Sequence, residues 1–243
     1  MRGYGQYCAL AKALDVVGDR WTLLIVRELQ VGPRRYRDLL AGLPGIATNL
    51  LADRLKALEA AGLVEHDEES ATYTLTSRGH ELRASIGELM RWGLPLMLGG
   101  QGDDEFRLQW LPLAVGVIYE EKSVDPPVKL VVRTESGTVE MKIGDKEVRS
   151  RMRGPRSAGM SSGILEIEPW GQCAGESGAV AASGSDGLDS IDARAVDAVL
   201  DGPPAPILGV LTGQIPLEDG EAFGVEVTGD RSEVERLLAY LEA

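Results

Sequence analysis

The chain has 243 residues, 44% of them apolar and only two of them cysteine, which excludes wholesale disorder and, with no CxxC or Cys/His cluster, a disulfide framework or a structural zinc site. Its net charge of −13 is confined to one part: residues 1–99 hold 12 Lys/Arg and 12 Asp/Glu, residues 100–243 hold 13 and 26, so phosphate is expected to repel the second part and not the first. An apolar signal core and any apolar run of about 18 residues are lacking, so no membrane contact is expected, and the setting is expected to be cytoplasmic.

Leu10, Leu14 and Val17 recur at helical spacing and Gly18 interrupts them. Asp19 reads as an N-cap for a second helix carrying Trp21, Leu24, Ile25 and Leu29, ended by Gly32-Pro33. A short helix fits Tyr36 to Ala41, a turn fits residues 42–45, and a longer helix fits Thr48 to Ala61 with Gly62 closing it. The period then changes. Residues 63–66 and 72–76 read as two strands joined by Asp67-Glu68-Glu69-Ser70-Ala71, and a helix follows from Ser77 to about Trp92. This order of helices, hairpin and helix is that of a winged helix-turn-helix.

The composition turns to Gly and Asp over residues 93–104, and the domain boundary is placed there, giving domains 1–99 and 104–243. Phe106, Trp110, Leu113 and Val117 form a further helical stripe. Strands are predicted at 128–134, 138–143 and 164–167, helices at 193–200 and 207–211, a strand at 223–227, and a last helix opened by the capping box at Ser232 to Glu235. The second domain is therefore α+β.

On a helix from Thr48 to Ala61, Ala47, Leu51, Leu55 and Leu58 fall on one face; Asn49, Ala52, Asp53 and Lys56 fall on the other, with Thr48 at its leading edge. An outward face of small and polar residues suits the major groove. Asn pairs bidentately with adenine, Thr touches a thymine methyl, Lys reaches phosphate or guanine, and Asp53 accepts from a cytosine amine or excludes wrong bases. Arg34, Arg35 and Arg37 cluster around Tyr36 as a phosphate clamp. Arg54 is open to two readings, an internal ion pair or a phosphate contact.

The segment Cys8 to Leu29, then Gly32-Pro33, Arg35-Tyr36, Leu39, Leu43-Pro44-Gly45-Ile46, Leu51, Arg54-Leu55, Leu58, Gly62-Leu63-Val64, Tyr73, Leu75-Thr76, Gly79 and Trp92 resemble the HxlR-type regulators, winged-helix proteins related to the MarR group. The resemblance covers about residues 5–93. It implies a homodimer on pseudo-palindromic double-stranded promoter DNA, with the first and last helices of the domain forming the dimer; the regulator is read as a repressor. It also places Cys8 where some relatives sense oxidants; the alternative is a small buried hydrophobe, and Lys12 one turn on would favour the thiolate. Two departures stand out: His66 replaces a basic residue, and the wing tip is acidic.

Behind this domain, residues 192–201, 207–213 and 224–230, with the strand pair ending at Ile143-Gly144-Asp145, resemble a sterol carrier protein domain, a sheet covered by helices. That resemblance implies a pocket for an apolar small-molecule effector, with Trp110, Leu113, Val117 and Ile207 among its lining. Catalysis finds no triad, no phosphate loop and no metal spacing around the two histidines, so neither an enzyme nor a cofactor is expected. The rival reading is a lipid or small-molecule carrier whose helical domain only dimerises.

Overall fold

The computed structural model describes residues 3–97, 99–153, 164–170 and 196–242, and its contacts divide the chain into two units, Met1–Gly87 and Glu88–Ala243. The division lies earlier than the change of composition and inside a helix. Met90 already packs on the second unit's core, and the Arg91 guanidinium donates to the Val117 carbonyl and pairs with Glu120.

The first unit runs α1 (Ala9–Val17), α2 (Thr22–Gln30), β1 (Arg34–Arg35), α3 (Tyr36–Gly42), α4 (Thr48–Ala60), β2 (Val64–Asp67), β3 (Thr72–Leu75), α5 (Ser77–His80) and the start of α6 (Leu82–Gly93). Its three strands lie in the order β1-β3-β2, all antiparallel. Ile25 and Leu29 of α2, Leu39 of α3 and Leu51, Leu55 and Leu58 of α4 are fully buried. Their 3.6-residue spacing turns one stripe of each helix inward, and each such side chain contributes about 1.5–3 kcal/mol on burial.

Two local expectations are corrected. Asp19 does not cap α2, whose first residue is Thr22. Its carboxylate pairs instead with Arg54, 35 residues away, which decides the Arg54 alternative for the internal ion pair. The helix expected from Ser77 to Trp92 is broken at Glu81 into α5 and α6.

The second unit contains the end of α6, a 3-10 turn (Leu94–Met97), α7 (Trp110–Tyr119), β4 (Ser123–Thr134), β5 (Gly137–Asp145), β6 (Glu147–Arg153), β7 (Ile164–Trp170), β8 (Ala198–Asp201), α8 (Pro204–Leu211), α9 (Leu217–Ala222), β9 (Glu226–Gly229) and α10 (Arg231–Glu242). The sheet order is β7-β6-β5-β4-β8-β9, with β4 and β8 parallel and the other pairs antiparallel. Residues of α7, α8 and α10 share one buried apolar cluster with alternate residues of β4, β5, β6 and β8, so this is an α+β unit with helices on one face of a sheet.

The helix predicted over 193–200 is a strand where it is described: Ala198 and Leu200 point into the core and Val199 does not, because β8 pairs with β4 along its whole length. Residues 193–195 lie outside the described residues. Strand β6 and helix α9 were not predicted. Phe223 ends α9, so the strand expected from residue 223 begins at Glu226. The last helix opens at Arg231, so Ser232 lies inside it and does not cap it; the Asp230 carboxylate accepts the backbone N–H of Ser232 at 3.0 Å.

Candidate nucleic-acid interface

Helix α4 follows Ala47, whose backbone is extended, and ends on Gly62 in the left-handed region (φ 68°). The Gly62 and Leu63 N–H groups donate to the Glu59 and Leu58 carbonyls, which satisfies the last carbonyls of the helix and turns the chain into β2. Arg78 and Thr76, from beyond the hairpin, donate to the Ala61 and Gly62 carbonyls at 2.9 and 2.7 Å. At the other end the Tyr36 hydroxyl donates to the Thr48 carbonyl at 2.5 Å and ties the first turn of α4 to α3. The helix is thus fixed at both ends by side chains distant in sequence.

Thr48, Asn49, Asp53 and Lys56 are all exposed, Ala52 is half-buried, and Leu51, Leu55 and Leu58 are buried. Ala47 is exposed rather than buried, because helical periodicity does not reach a capping residue with extended backbone. The outward face therefore offers an amide, a hydroxyl, an ammonium and one carboxylate along about two turns of helix, a set that can donate to and accept from base edges.

The arginine cluster divides. Arg35 and Arg37 are exposed; Tyr36 between them is half-buried; and the Arg35 N–H donates to Asp38 Oδ2 at 3.3 Å at the start of α3. Arg34 is only 4% exposed. It sits opposite Tyr73 in β1, and the alternation of that two-residue strand sends Arg34 inward and Arg35 outward. Burial pushes its pKa down, and the charges of Glu28 and Asp38 oppose that shift. Arg34 is an internal cation of the fold, and its place in the expected clamp is corrected on that ground.

The hairpin tip carries Asp67, Glu68 and Glu69, all exposed. The Ser70 hydroxyl and the Glu69 N–H hold the Asp67 carboxyl below its usual range, so the tip stays anionic. On the strands His66 stacks on Tyr73 with ring centroids 4.4 Å apart. A phosphate would meet carboxylates here and guanidinium groups at Arg35 and Arg37.

Cys8 is an exposed free thiol at the N-terminus of α1. The backbone N–H groups of Ala11 and, to a lesser degree, Leu10 lower its pKa. Lys12, expected to help, is turned to Asp15 at 3.7 Å.

In the second unit Leu113, Val117 and Ile207 are wholly buried, and Trp110 is half-buried with its ring edge-on to Phe106 at 6.2 Å between centroids. A cleft of about 400 Å³ is lined by Arg133, Thr134, Glu135, Asp201, Gly202 and Pro203, none of them among the expected pocket residues. Among the described residues no three His, Cys, Asp or Glu side chains group as a metal site, and no helix is long and apolar enough to cross a membrane.

Residues 16–97 match the family described as HxlR-like helix-turn-helix. The chain is 37% identical over 86 residues to the uncharacterised HTH-type transcriptional regulator YvaP of Bacillus subtilis, covering 33% of this chain and 80% of the relative. It is 42% identical over 90 residues to the uncharacterised HTH-type transcriptional regulator Mb3122 of Mycobacterium bovis, covering 35% of this chain and 56% of the relative. A crystal structure of quinone-bound YodB from B. subtilis is 35% identical and covers 35% of this chain and 96% of that one, with a TM-score of 0.33. On this identity and coverage the chain belongs to the HxlR-like helix-turn-helix family.

Proposed function

We propose that the protein is a transcription regulator that binds double-stranded promoter DNA as a homodimer and represses by occupying it. The observation that carries this reading is the outward face of α4, four exposed groups suited to base edges on a helix anchored at both ends, with Arg35 exposed at the start of α3 and Arg37 exposed in its first turn, where it pairs with Asp38 at 3.6 Å. Two copies of α4 would enter successive major grooves about 34–36 Å apart. The dimer is supported by large apolar side chains left exposed: Tyr7, Leu10 and Leu14 on and before α1, and Leu89, Trp92 and Leu96 on α6 and the turn after it. A mobility-shift titration with the protein's own upstream region, alongside sedimentation, should show a sequence-selective complex containing two chains. Equal affinity for unrelated DNA, or no complex, would remove the reading.

The exposed thiol supports a sensing role for Cys8, and one relative, YodB, has been crystallised with a quinone bound. A quinone or peroxide should weaken DNA binding by the wild type and leave Cys8→Ser unaffected. Equal release of both would show that Cys8 takes no part.

For the second unit we carry forward the sterol-carrier-like reading with an apolar effector as a test. Such a molecule has to part Leu113 and Val117 of α7 from their neighbours, and Ile207 of α8 likewise. Binding would therefore register as a raised melting temperature with a lipid or polycyclic probe. An unchanged melt across fatty acids and polycyclic aromatics would leave this unit without an effector.

A further inference from the structure

Helix α4 is fixed in the first unit by its buried stripe of Leu51, Leu55 and Leu58 and by the side chains that tie its two ends. Helix α1 has no such anchorage. Ala11 is its one buried residue, and Leu10 and Leu14 are 67% and 38% exposed. Its charged side chains bond at their own end of the chain, Lys12 to Asp15 at 3.7 Å and Asp15 to the Tyr4 N–H at 2.8 Å. The direction of α1 is therefore set where it joins α2. There the Gly18 N–H donates to the Leu14 carbonyl at 2.9 Å and closes α1, while the Asp19 carbonyl accepts the Thr22 N–H at 3.0 Å and opens α2. A Cβ on Gly18 would lie 2.5 Å from the Leu14 carbonyl oxygen, so this corner needs a glycine. From the corner the Asp19 carboxylate reaches Arg54 in the middle of α4 and pairs with it. Both side chains are partly covered, Asp19 36% and Arg54 22% exposed.

We propose that the Asp19–Arg54 ion pair is a positioning device that fixes α4 against α1 and so selects the spacing of the two DNA half-sites; the proposal rests on the homodimeric DNA-binding reading above. Helix α1 offers Leu10 and Leu14 to a second copy, α4 offers Asn49, Asp53 and Lys56 to the groove, and the pair joins the two through one corner. A two-fold dimer repeats the geometry of each chain across its axis, so a shift of α4 against α1 enters the distance between the two copies of α4 twice. A shift of about 1.7 Å in each chain then matches one base-pair step of about 3.4 Å along the duplex. Arginine suits this task, because its guanidinium stays charged and presents its donors in a rigid fork. A partly exposed pair adds little to stability. It can therefore be removed with the fold kept, and its loss falls on the placement of α4. The pair also engages the guanidinium, which would have to leave Asp19 to reach a phosphate.

The test uses the full chain as wild type, D19A, R54Q and R54K, with three duplexes: the preferred operator, and the same operator with one base pair added or removed between its half-sites. The wild type should prefer the natural spacing by about tenfold, inside the roughly 5–150-fold range of couplings between two sites. D19A and R54Q should each lose most of that preference, binding the preferred operator more weakly and the altered ones as before. R54K keeps the charge and the reach and should retain it. Melting temperatures and the salt dependence of binding should stay close to those of the wild type in every variant. If R54Q flattens the slope of log affinity against log salt by about 0.9 while D19A binds as the wild type does, Arg54 is a phosphate contact and the proposal is overturned. An unchanged spacing preference in D19A or R54Q overturns it, as does its loss in R54K, or a loss seen only together with a lowered melting temperature. A wild type that binds all three duplexes equally overturns this proposal alone and leaves DNA binding in place. If the wild type forms no two-chain complex with DNA, the proposal and the reading beneath it fail together.

Discussion

Asn49→Ala should weaken binding to the preferred operator by roughly 1–3 kcal/mol, while binding to unrelated DNA stays nearly constant. The side chain is exposed on the first turn of α4, with Leu51 two residues on held in the core, so its amide is presented outward without needing to be freed from the fold. An amide that pairs bidentately with adenine is lost as two hydrogen bonds at one base pair, and the loss shows only where that base is present. Arg35→Ala should behave differently. Its side chain is exposed at the start of α3 and does not belong to α4, and a phosphate contact carries no sequence information. Removing it should weaken all sequences by the same factor and flatten the salt dependence by about 0.9. Both variants are read in one set of titrations across salt concentrations, with melting curves to show that the fold is intact. If Asn49→Ala weakens all sequences equally, α4 does not read bases. If Arg35→Ala leaves the slope unchanged, the docking on α3 is wrong.

The outward face of α4 was legible in the sequence because it depends only on a local period. Leu51, Leu55 and Leu58 define the buried stripe, and the opposite residues follow from 100° per residue. The hairpin was legible for the same reason, since two alternating runs flank a polar connection. What failed was non-local. Arg34 and Arg35 look alike in the sequence, and only the pairing of β1 with β3, 39 residues later, sends one inward and the other out. Asp19 has the composition of a cap, but Arg54 competes for it from another helix. Residues 198–200 fit the end of a helix by composition, and the parallel partner β4 makes them a strand. Strand β6 was missed because its inward residues, Val148, Ser150 and Met152, include a serine, which breaks the apolar alternation that marks a strand.

Gly79→Ala should destabilise the first unit by about 1–3 kcal/mol or more, the range of core overpacking, although alanine is the better helix former by about 0.5–1 kcal/mol. The sequence shows a glycine in a short helix and no reason for it. The structure supplies the reason: a Cβ at this position would lie 2.1 Å from the Leu63 carbonyl oxygen and 3.1 Å from Leu75 Cδ2. That oxygen cannot retreat cheaply, because it accepts the Thr76 N–H at 3.1 Å, and the Thr76 hydroxyl in turn accepts the Gly79 N–H and donates to the Gly62 carbonyl. Leu63 is itself 3% exposed and follows directly on the turn that ends α4. A shift large enough to admit one methyl group therefore has to open the junction between α4, the hairpin and α5. For a unit of this size each kcal/mol corresponds to about 4–8 °C in melting temperature, so the loss should be plain in a thermal melt followed by circular dichroism. Gly93→Ala is the matched comparison. Gly93 ends α6 with no atom within 4 Å of the added Cβ, so the same change there should be neutral or stabilising. If both glycines tolerate alanine equally, the close approach at Leu63 does not constrain this fold, and the wing is free to move against α4.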